Sequence, residues 1–322
     1  MSERGPFALR PHLVMHVMRD QAEKKLIQTV LITGLRSFTG HYLGAALRAR
    51  GARVVGLVQG IPQGADEIAC DLTDAQAVRA AVAQVRPTHV VHLAALSFVG
   101  HADARAFYDV NLFGTLNLLE ALAGLGAPPN KVLIASSANV YGAPGVEVIS
   151  EAVCPAPVNH YACSKLAMEH MVRTWMDRLP IVMTRPFNYT GVGQDEKFLI
   201  PKIVSHFKRR APVVELGNLD VARDFSDVRD VVDAYTALLD GPVQGEVFNI
   251  CSGKAVALRE VIAAMNALAG YAIEVRVNPA FVRANEIPVL RGSHEKLTQA
   301  TGFAPRFALN DTLYWMLNSD PV

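Results

Sequence analysis

A short apolar run, Thr29-Val30-Leu31-Ile32-Thr33-Gly34, stops at a glycine, and Gly40 to Arg50 then carry apolar residues at helical spacing. Gly34-Leu35-Arg36-Ser37-Phe38-Thr39-Gly40 joins the two as a strand end, a tight turn and a helix start. No other stretch constrains the fold as much. Backbone N–H groups in such a turn, with the positive end of the helix behind them, can hold a pyrophosphate, and glycines stand where the backbone must come close. The spacing differs from the common G-x-G-x-x-G pattern, and Ser37 takes the middle small position.

Strands and helices then alternate. Ala52 to Val58 is a second strand, Asp71-Leu72 closes a short one in a position suited to an adenine, and Thr88 to Ala95 ends in small residues past which a cofactor could run. Lys131 to Ala135 delivers Ser136, Ser137 and Asn139 to its carboxyl end. Ala102 to Leu125 and His160 to Met176 read as helices, and Ile181 to Thr184 as the next strand. The alternation predicts an α/β chain with a Rossmann-type, doubly wound parallel sheet whose ligands lie beyond the strand ends. After Arg185-Pro186-Phe187-Asn188 the rhythm changes to loops, short helices and brief strands such as Val213 to Leu216. The expected organisation is an extension over 1–28, a dinucleotide-binding domain over 29–184 with 227–251 returning to it, and a smaller, loop-rich substrate domain from 185–226 and 252–322.

Tyr161 and Lys165 lie four apart, so a helix after Asn159 points the phenol and the ammonium the same way. A fixed cation beside a phenol favours the phenolate and lowers its pKa, which makes the pair an acid/base device. In NAD-binding chains a carboxylate closing the second strand binds the ribose 2′-OH, but here the strand runs into Val58-Gln59-Gly60. That removes a repulsion against a 2′-phosphate, with which Arg36 could pair. NADP(H) is thus favoured, with NAD(H) open.

Other partners are argued against. A formal charge of +1 gives no electrostatic reason for nucleic acid, and Lys208-Arg209-Arg210 reads as a solvated helix end. No run approaches the roughly 18 apolar residues of a membrane span. Cys70, Cys154, Cys163 and Cys251 lack metal-like spacing and read as reduced thiols of a cytoplasmic protein. No metal site is expected.

Taken together, Thr33-Gly34-x-x-Ser37-x-x-Gly40, Asp71-Leu72, His92-Leu93-Ala94-Ala95, Asn111-x-x-Gly114-Thr115, Ser136-Ser137-x-x-Val140-Tyr141-Gly142 and Tyr161-x-x-x-Lys165 resemble the extended short-chain dehydrogenase/reductases that act on nucleotide sugars. Phe198-x-x-x-Lys202-Ile203, Leu216-Gly217-Asn218-Leu219-Asp220-x-x-Arg223-Asp224, and Arg283-x-x-Glu286 with Gly292-Ser293 look like the GDP-mannose group of that family. The resemblance implies catalysis by Ser137, Tyr161 and Lys165. It implies a cofactor held by Gly34, Arg36, Ser37, Phe38, Thr39, Gly40, Asp71, Leu72, Leu93, Ala94, Ala95, Asn111 and Pro186, with Tyr161 and Lys165. For the substrate it implies Asn188, Phe198, Lys202, Asn218, Arg223, Arg283 and Glu286. Dehydratases of this group use a Glu two residues before the tyrosine of the Val-Tyr-Gly motif. This chain has Asn139 there, and an amide is no base at neutral pH. The expectation is therefore reduction of a GDP-linked 4-keto-6-deoxyhexose, most simply GDP-4-keto-6-deoxy-D-mannose to GDP-D-rhamnose or its C4 epimer. The alternative is a nucleotide-sugar 4-epimerase with tightly held NAD. The resemblance also implies a homodimer through a four-helix bundle of the two long helices.

Overall fold

The computed structural model describes residues 28–97, 102–281 and 288–319. Six strands lead the chain, β1 (Thr29–Thr33), β2 (Arg53–Val58), β3 (Glu67–Ala69), β4 (His89–His92), β5 (Lys131–Ala135) and β6 (Ile181–Pro186). They are followed by β7 (Asn188–Thr190), β8 (Val213–Leu216), β9 (Ala222–Asp227) and β10 (Val247–Ile250). The main sheet runs β10-β6-β5-β4-β1-β2-β3 with every neighbour parallel, the Rossmann arrangement. Its winding reverses between β1 and β4, so a crevice opens beyond their carboxyl ends.

Val30, Leu31 and Ile32 are buried without alternation, as a strand covered on both faces requires. One face is packed by Val78, Val82, Leu118, Leu122, Met168 and Val172 from three helices. Leu43 and Leu47 of the Phe38–Ala49 helix cover the other face, with Val231, Tyr235 and Leu238 of the Val228–Asp240 helix. That second helix and β10 return to the sheet after the chain has left it.

The second half corrects the sequence reading in two ways. It is less loop-rich than expected: helices Leu199–Lys208, Leu258–Ala269 and Leu309–Asn318 pack a core of their own around Ile203, Phe207, Val261, Met265 and Leu313. Two residues of types that commonly break helices sit where helices tolerate them. Pro201 lies in a first turn, where its missing N–H has no helical partner anyway, and Gly270 is a left-handed cap. Residues 252–322 also do not all belong to the smaller layer, because Leu297 and Phe303 join the sheet core beside Leu238 and Phe248.

The expected helix over Ala102 to Leu125 is two helices, Ala104–Tyr108 and Gly114–Ala123, joined by a wide π turn over Asp109–Phe113. Among the described residues no helix is long and apolar enough to cross a membrane. Nor is there a group of three or more His, Cys, Asp or Glu side chains able to hold a metal.

Candidate active site

The turn after β1 shows why its glycines are glycines. Gly34 has φ +75°, and a Cβ there would stand 3.0 Å from the Ala94 nitrogen; at Gly40 it would stand 2.2 Å from the Gly34 carbonyl oxygen. Backbone therefore packs on backbone, and the helix start is held close to the end of β4. Ser37 caps that helix, its hydroxyl oxygen accepting from Gly40 N at 3.1 Å. The serine at the middle small position thus supplies a cap. The first-turn N–H groups of Phe38 and Thr39 have no partner within the helix and suit an anion. Gly40→Ala should force this turn apart, costing on the order of 1–3 kcal/mol by overpacking. A fluorescence titration with reduced nicotinamide nucleotide should then show a dissociation constant at least about 10-fold higher.

One continuous cleft of about 1480 Å³ gathers most of the expected residues. On the sheet side it is lined by Gly34, Arg36, Ser37, Phe38, Thr39, Asp71, Leu72, Leu93, Ala94, Ala95 and Pro186, with Ser137, Tyr161 and Lys165 at its centre. Asn188, Phe198, Lys202, Asn218 and Arg223 line the other end. Gly40 lies behind the lining, where it sets the turn. Arg283 and Glu286 lie outside the described residues.

Asn111, expected at the cofactor, does not line the cleft. It is fully buried on the π turn, accepting from Leu96 N at 2.9 Å and donating to Leu96 O at 3.2 Å and Ser164 Oγ at 3.0 Å. It ties the loop after β4 to the tyrosine helix. Its amide is spent on those partners.

That helix, His160–Arg173, begins at Asn159, whose side chain accepts from Ala162 N at 2.9 Å. The cap places Tyr161 in the first turn, and residues four apart then share a buried face: Tyr161, Lys165 and Glu169. Lys165 Nζ donates to Ala135 O at 2.8 Å, at the end of β5. Glu169 forms a two-pronged pair with Arg185 on β6, at 2.9 and 2.5 Å. The Arg185 guanidinium in turn lies 4.8 Å from the Tyr141 ring centroid, and the Tyr141 hydroxyl donates to Asn249 Oδ1 at 2.7 Å. The face that carries Tyr161 and Lys165 is therefore pinned from below by the buried Glu169–Arg185 pair.

Electrostatics here differ from the sequence expectation. Burial pushes the Tyr161 phenol up to about 12, against the Ser137 hydrogen bond that lowers it. Burial also pulls the Lys165 ammonium down to about 8, with Glu169 opposing. The expected lowering of Tyr161 by Lys165 does not arise: desolvation sets the direction, and the contact that opposes it is Ser137. The result suits a proton donor, because the phenol holds its proton at neutral pH.

For a reaction that needs charged Lys165, the sign follows directly. The ammonium is present below about pH 8 and lost above it, so kcat/KM for reduction should be flat through neutrality and fall above about pH 8. A pH series on wild type and Lys165→Arg checks this; the arginine variant should show no such limb, since guanidinium stays charged.

On the sheet side of the cleft, Arg36 is already engaged. Its Nε and Nη2 donate to the Glu67 carboxylate at 2.9 and 2.5 Å, and Nη2 also reaches Ile61 O at 2.8 Å. The second strand ends without a carboxylate, as read, but one arrives from β3. At the far end Lys202 Nζ donates to Glu215 O at 2.8 Å and stands 4.2 Å from the Phe281 ring centroid. Arg223 Nη1 donates to Ala222 O at 2.9 Å and to Pro288 O at 3.3 Å. Its neighbour Asp224 is buried and accepts from Ser252 N and Oγ, Gly253 N and Gly292 N, fastening three segments beneath the cleft. A Cβ on Gly292 would lie 2.7 Å from Cys251 Sγ and from Phe187, which explains that glycine.

Sequence reasoning missed Tyr189, which lines the cleft and shares a 2.7 Å hydrogen bond with Thr39 Oγ1, and Phe281. No spacing marks either one. Tyr189 follows a motif asparagine by one residue, and that was the only available signal.

The model of the GDP-mannose 4,6-dehydratase family matches residues 31–316. The chain is 36% identical to the GDP-6-deoxy-D-talose 4-dehydrogenase of Aggregatibacter actinomycetemcomitans, over 86% of this chain and 92% of that one. It is 35% identical to the GDP-6-deoxy-D-mannose reductase of Pseudomonas aeruginosa, over 91% and 97%. Among solved structures, RMD from Pseudomonas aeruginosa complexed with NADPH superposes with a TM-score of 0.80 at 34% identity, covering 90% of this chain and 97% of that one. A Burkholderia cenocepacia J2315 protein whose designation as an epimerase is provisional gives 0.85 at 50% identity, with the same coverage.

Proposed function

This chain belongs to the GDP-mannose 4,6-dehydratase family, among the extended short-chain dehydrogenase/reductases, and from that premise we propose that it reduces the C4 ketone of a GDP-linked 4-keto-6-deoxyhexose, GDP-4-keto-6-deoxy-D-mannose, to GDP-D-rhamnose. The observation that carries this reading is the conjunction of an intact Ser137, Tyr161 and Lys165 with Asn139 in the same cleft. The proton donor and its helpers are present, and the neighbouring position holds an amide that cannot abstract a proton from carbon. A reduced nicotinamide, when bound, supplies hydride to the ketone carbon.

The residues of the chain do the rest. Tyr161 gives its proton to the ketone oxygen, and Ser137 donates a hydrogen bond to the same atom as charge grows there. Lys165 holds positive charge beneath them and anchors to Ala135 O. Gly34, Ser37, Phe38 and Thr39 would hold the pyrophosphate, and Asp71 and Leu72 would flank the adenine. Arg223, Lys202, Asn218, Asn188 and Phe198 would hold the nucleotide sugar, guanidinium forks being suited to phosphate oxygens. Arg283 and Glu286 are proposed for the same ligand on their motif alone.

NADP(H) is the proposed reductant. Arg36 reaches the cleft beside Gln59, and a relative at 34% identity is solved with NADPH. Glu67 shares that guanidinium, so its pull on a 2′-phosphate is reduced and NADH should also serve. Arg36→Ala should raise KM for NADPH about 10-fold or more, the worth of a charge-assisted hydrogen bond, and leave KM for NADH within about 2-fold. Parallel initial-rate series with the two reductants decide it.

The 50% identity to the Burkholderia protein favours one second reading, 4-epimerisation with retained NAD. The test is spectrophotometric. Purified protein, freshly made GDP-4-keto-6-deoxymannose and either reductant should give loss of nicotinamide absorbance and a product of rhamno configuration at C4. Protein that carries bound nicotinamide through purification and interconverts sugars without added reductant would establish the epimerase. We also propose a homodimer through the Ala104–Ala123 segment and the His160–Arg173 helix, which pack side by side and leave Phe113 exposed. Sedimentation equilibrium would test that.

A further inference from the structure

Ser137 is approached by two donors from a single residue. Asn139 directs its backbone N–H to Ser137 Oγ at 3.2 Å and its side-chain Nδ2 to the same oxygen at 3.1 Å. Ser137 is itself buried at the end of β5, at the start of the Ala138–Tyr141 turn, and both residues line the cleft. A serine hydroxyl has two lone pairs and one hydrogen. With both lone pairs engaged by N–H groups, only the proton remains to be offered.

We propose that Asn139 is a positioning residue that commits Ser137 to act as a hydrogen-bond donor, first to the Tyr161 phenol and, with substrate bound, to the ketone oxygen. Ser137 and Tyr161 line the same cleft and stand in hydrogen-bonding relation, so the proton that Ser137 has left to offer finds a partner there. The amide is the required chemistry. A carboxylate at 139 is an acceptor only and would take the Ser137 proton for itself, turning the hydroxyl away from the reacting oxygen. Asn139 thus works through Ser137 without needing to touch the sugar.

The kinetic role rests on the reductase reading, so the experiment has two readouts. In the reduction assay, Asn139→Asp should lower kcat about 100-fold, the scale of losing one donor to a developing oxyanion, with KM for the keto sugar within about 3-fold. In a Ser137→Ala background the same substitution should cost no more than about 3-fold further, since the group it misdirects is gone. A full 100-fold loss in both backgrounds would overturn the proposal, as would a change confined to KM or a variant that melts early.

The second readout needs no turnover. The phenolate band of Tyr161, isolated as the difference from Tyr161→Phe, is titrated in wild type, Asn139→Leu, Ser137→Ala and the double variant. Asn139→Leu and Ser137→Ala should each move the phenol upward, and the double variant should move it no further than Ser137→Ala. Additive shifts, or no shift with Asn139→Leu, would overturn the proposal. Should wild type fail to reduce the keto sugar while this coupling persists, the reductase reading falls and the positioning role stands.

Discussion

Tyr161→Phe is expected to lower kcat by about 10²- to 10⁴-fold, the usual contribution of a placed general acid, with little change in nicotinamide affinity. The phenol is 8% exposed, and its hydroxyl's neighbour in the cleft is Ser137, so removing one oxygen leaves the packing against Phe107 in place. Thermal melting should therefore shift little. The structure also says how the loss should depend on pH. Burial holds the phenol up to about 12, so in wild type it is protonated throughout the assay range, and the loss in Tyr161→Phe should be similar at every pH below the Lys165 limb. A variant that keeps turnover within a few-fold of wild type while remaining folded would remove Tyr161 from the chemistry.

The second large effect falls on stability. Arg185 and Glu169 are 4% and 1% exposed and meet at 2.5 Å, and neither has water to turn to if its partner is removed. Arg185→Ala should cost about 3–5 kcal/mol, since it strands a buried carboxylate and empties the site facing Tyr141. At roughly 2–4 °C per kcal/mol this lowers Tm by about 10 °C. The double variant Arg185→Met, Glu169→Leu should recover much of the loss, because the desolvation cost of both charges disappears together. Differential scanning calorimetry on the singles and the double measures this. The stranded Glu169 should also raise the pKa of Lys165, one helical turn away, so the alkaline limb of Arg185→Ala should move to higher pH. A double variant no more stable than the worse single would show that the pair is held by packing and not by charge balance.

The sheet was legible because its strands announce themselves twice, by apolar runs such as Val30-Leu31-Ile32 and by the small residues that end them. Where a motif depends on backbone, as at Gly34 and Gly40, sequence reasoning reached the residue and the structure supplied the cause in a carbonyl too close for any Cβ. It did less well where a side chain's partner comes from far along the chain. Arg36 read as a free cation because Glu67 is separated from it by a helix, a strand and a loop, and Asn111 read as a cofactor ligand because its partners Leu96 and Ser164 belong to other elements. The Tyr161 and Lys165 pair was visible from spacing. Its proton affinities were not, because they are set by burial, which no local pattern reports. The helices of the second half were underestimated because what holds them is their packing on one another, around residues as far apart in the chain as Ile203, Val261 and Leu313.

The proposed reduction requires that hydride pass from the nicotinamide to the sugar carbon while Tyr161 supplies the proton. The most direct measurement is turnover of GDP-4-keto-6-deoxymannose with NADPH deuterated at nicotinamide C4 on the transferring face, followed by NMR of the sugar. One deuterium is expected at C4 of the product, stoichiometric with NADPH consumed, and none in Tyr161→Phe over the same interval. Product that forms without deuterium, or keto sugar that is consumed with no oxidation of NADPH, would contradict it.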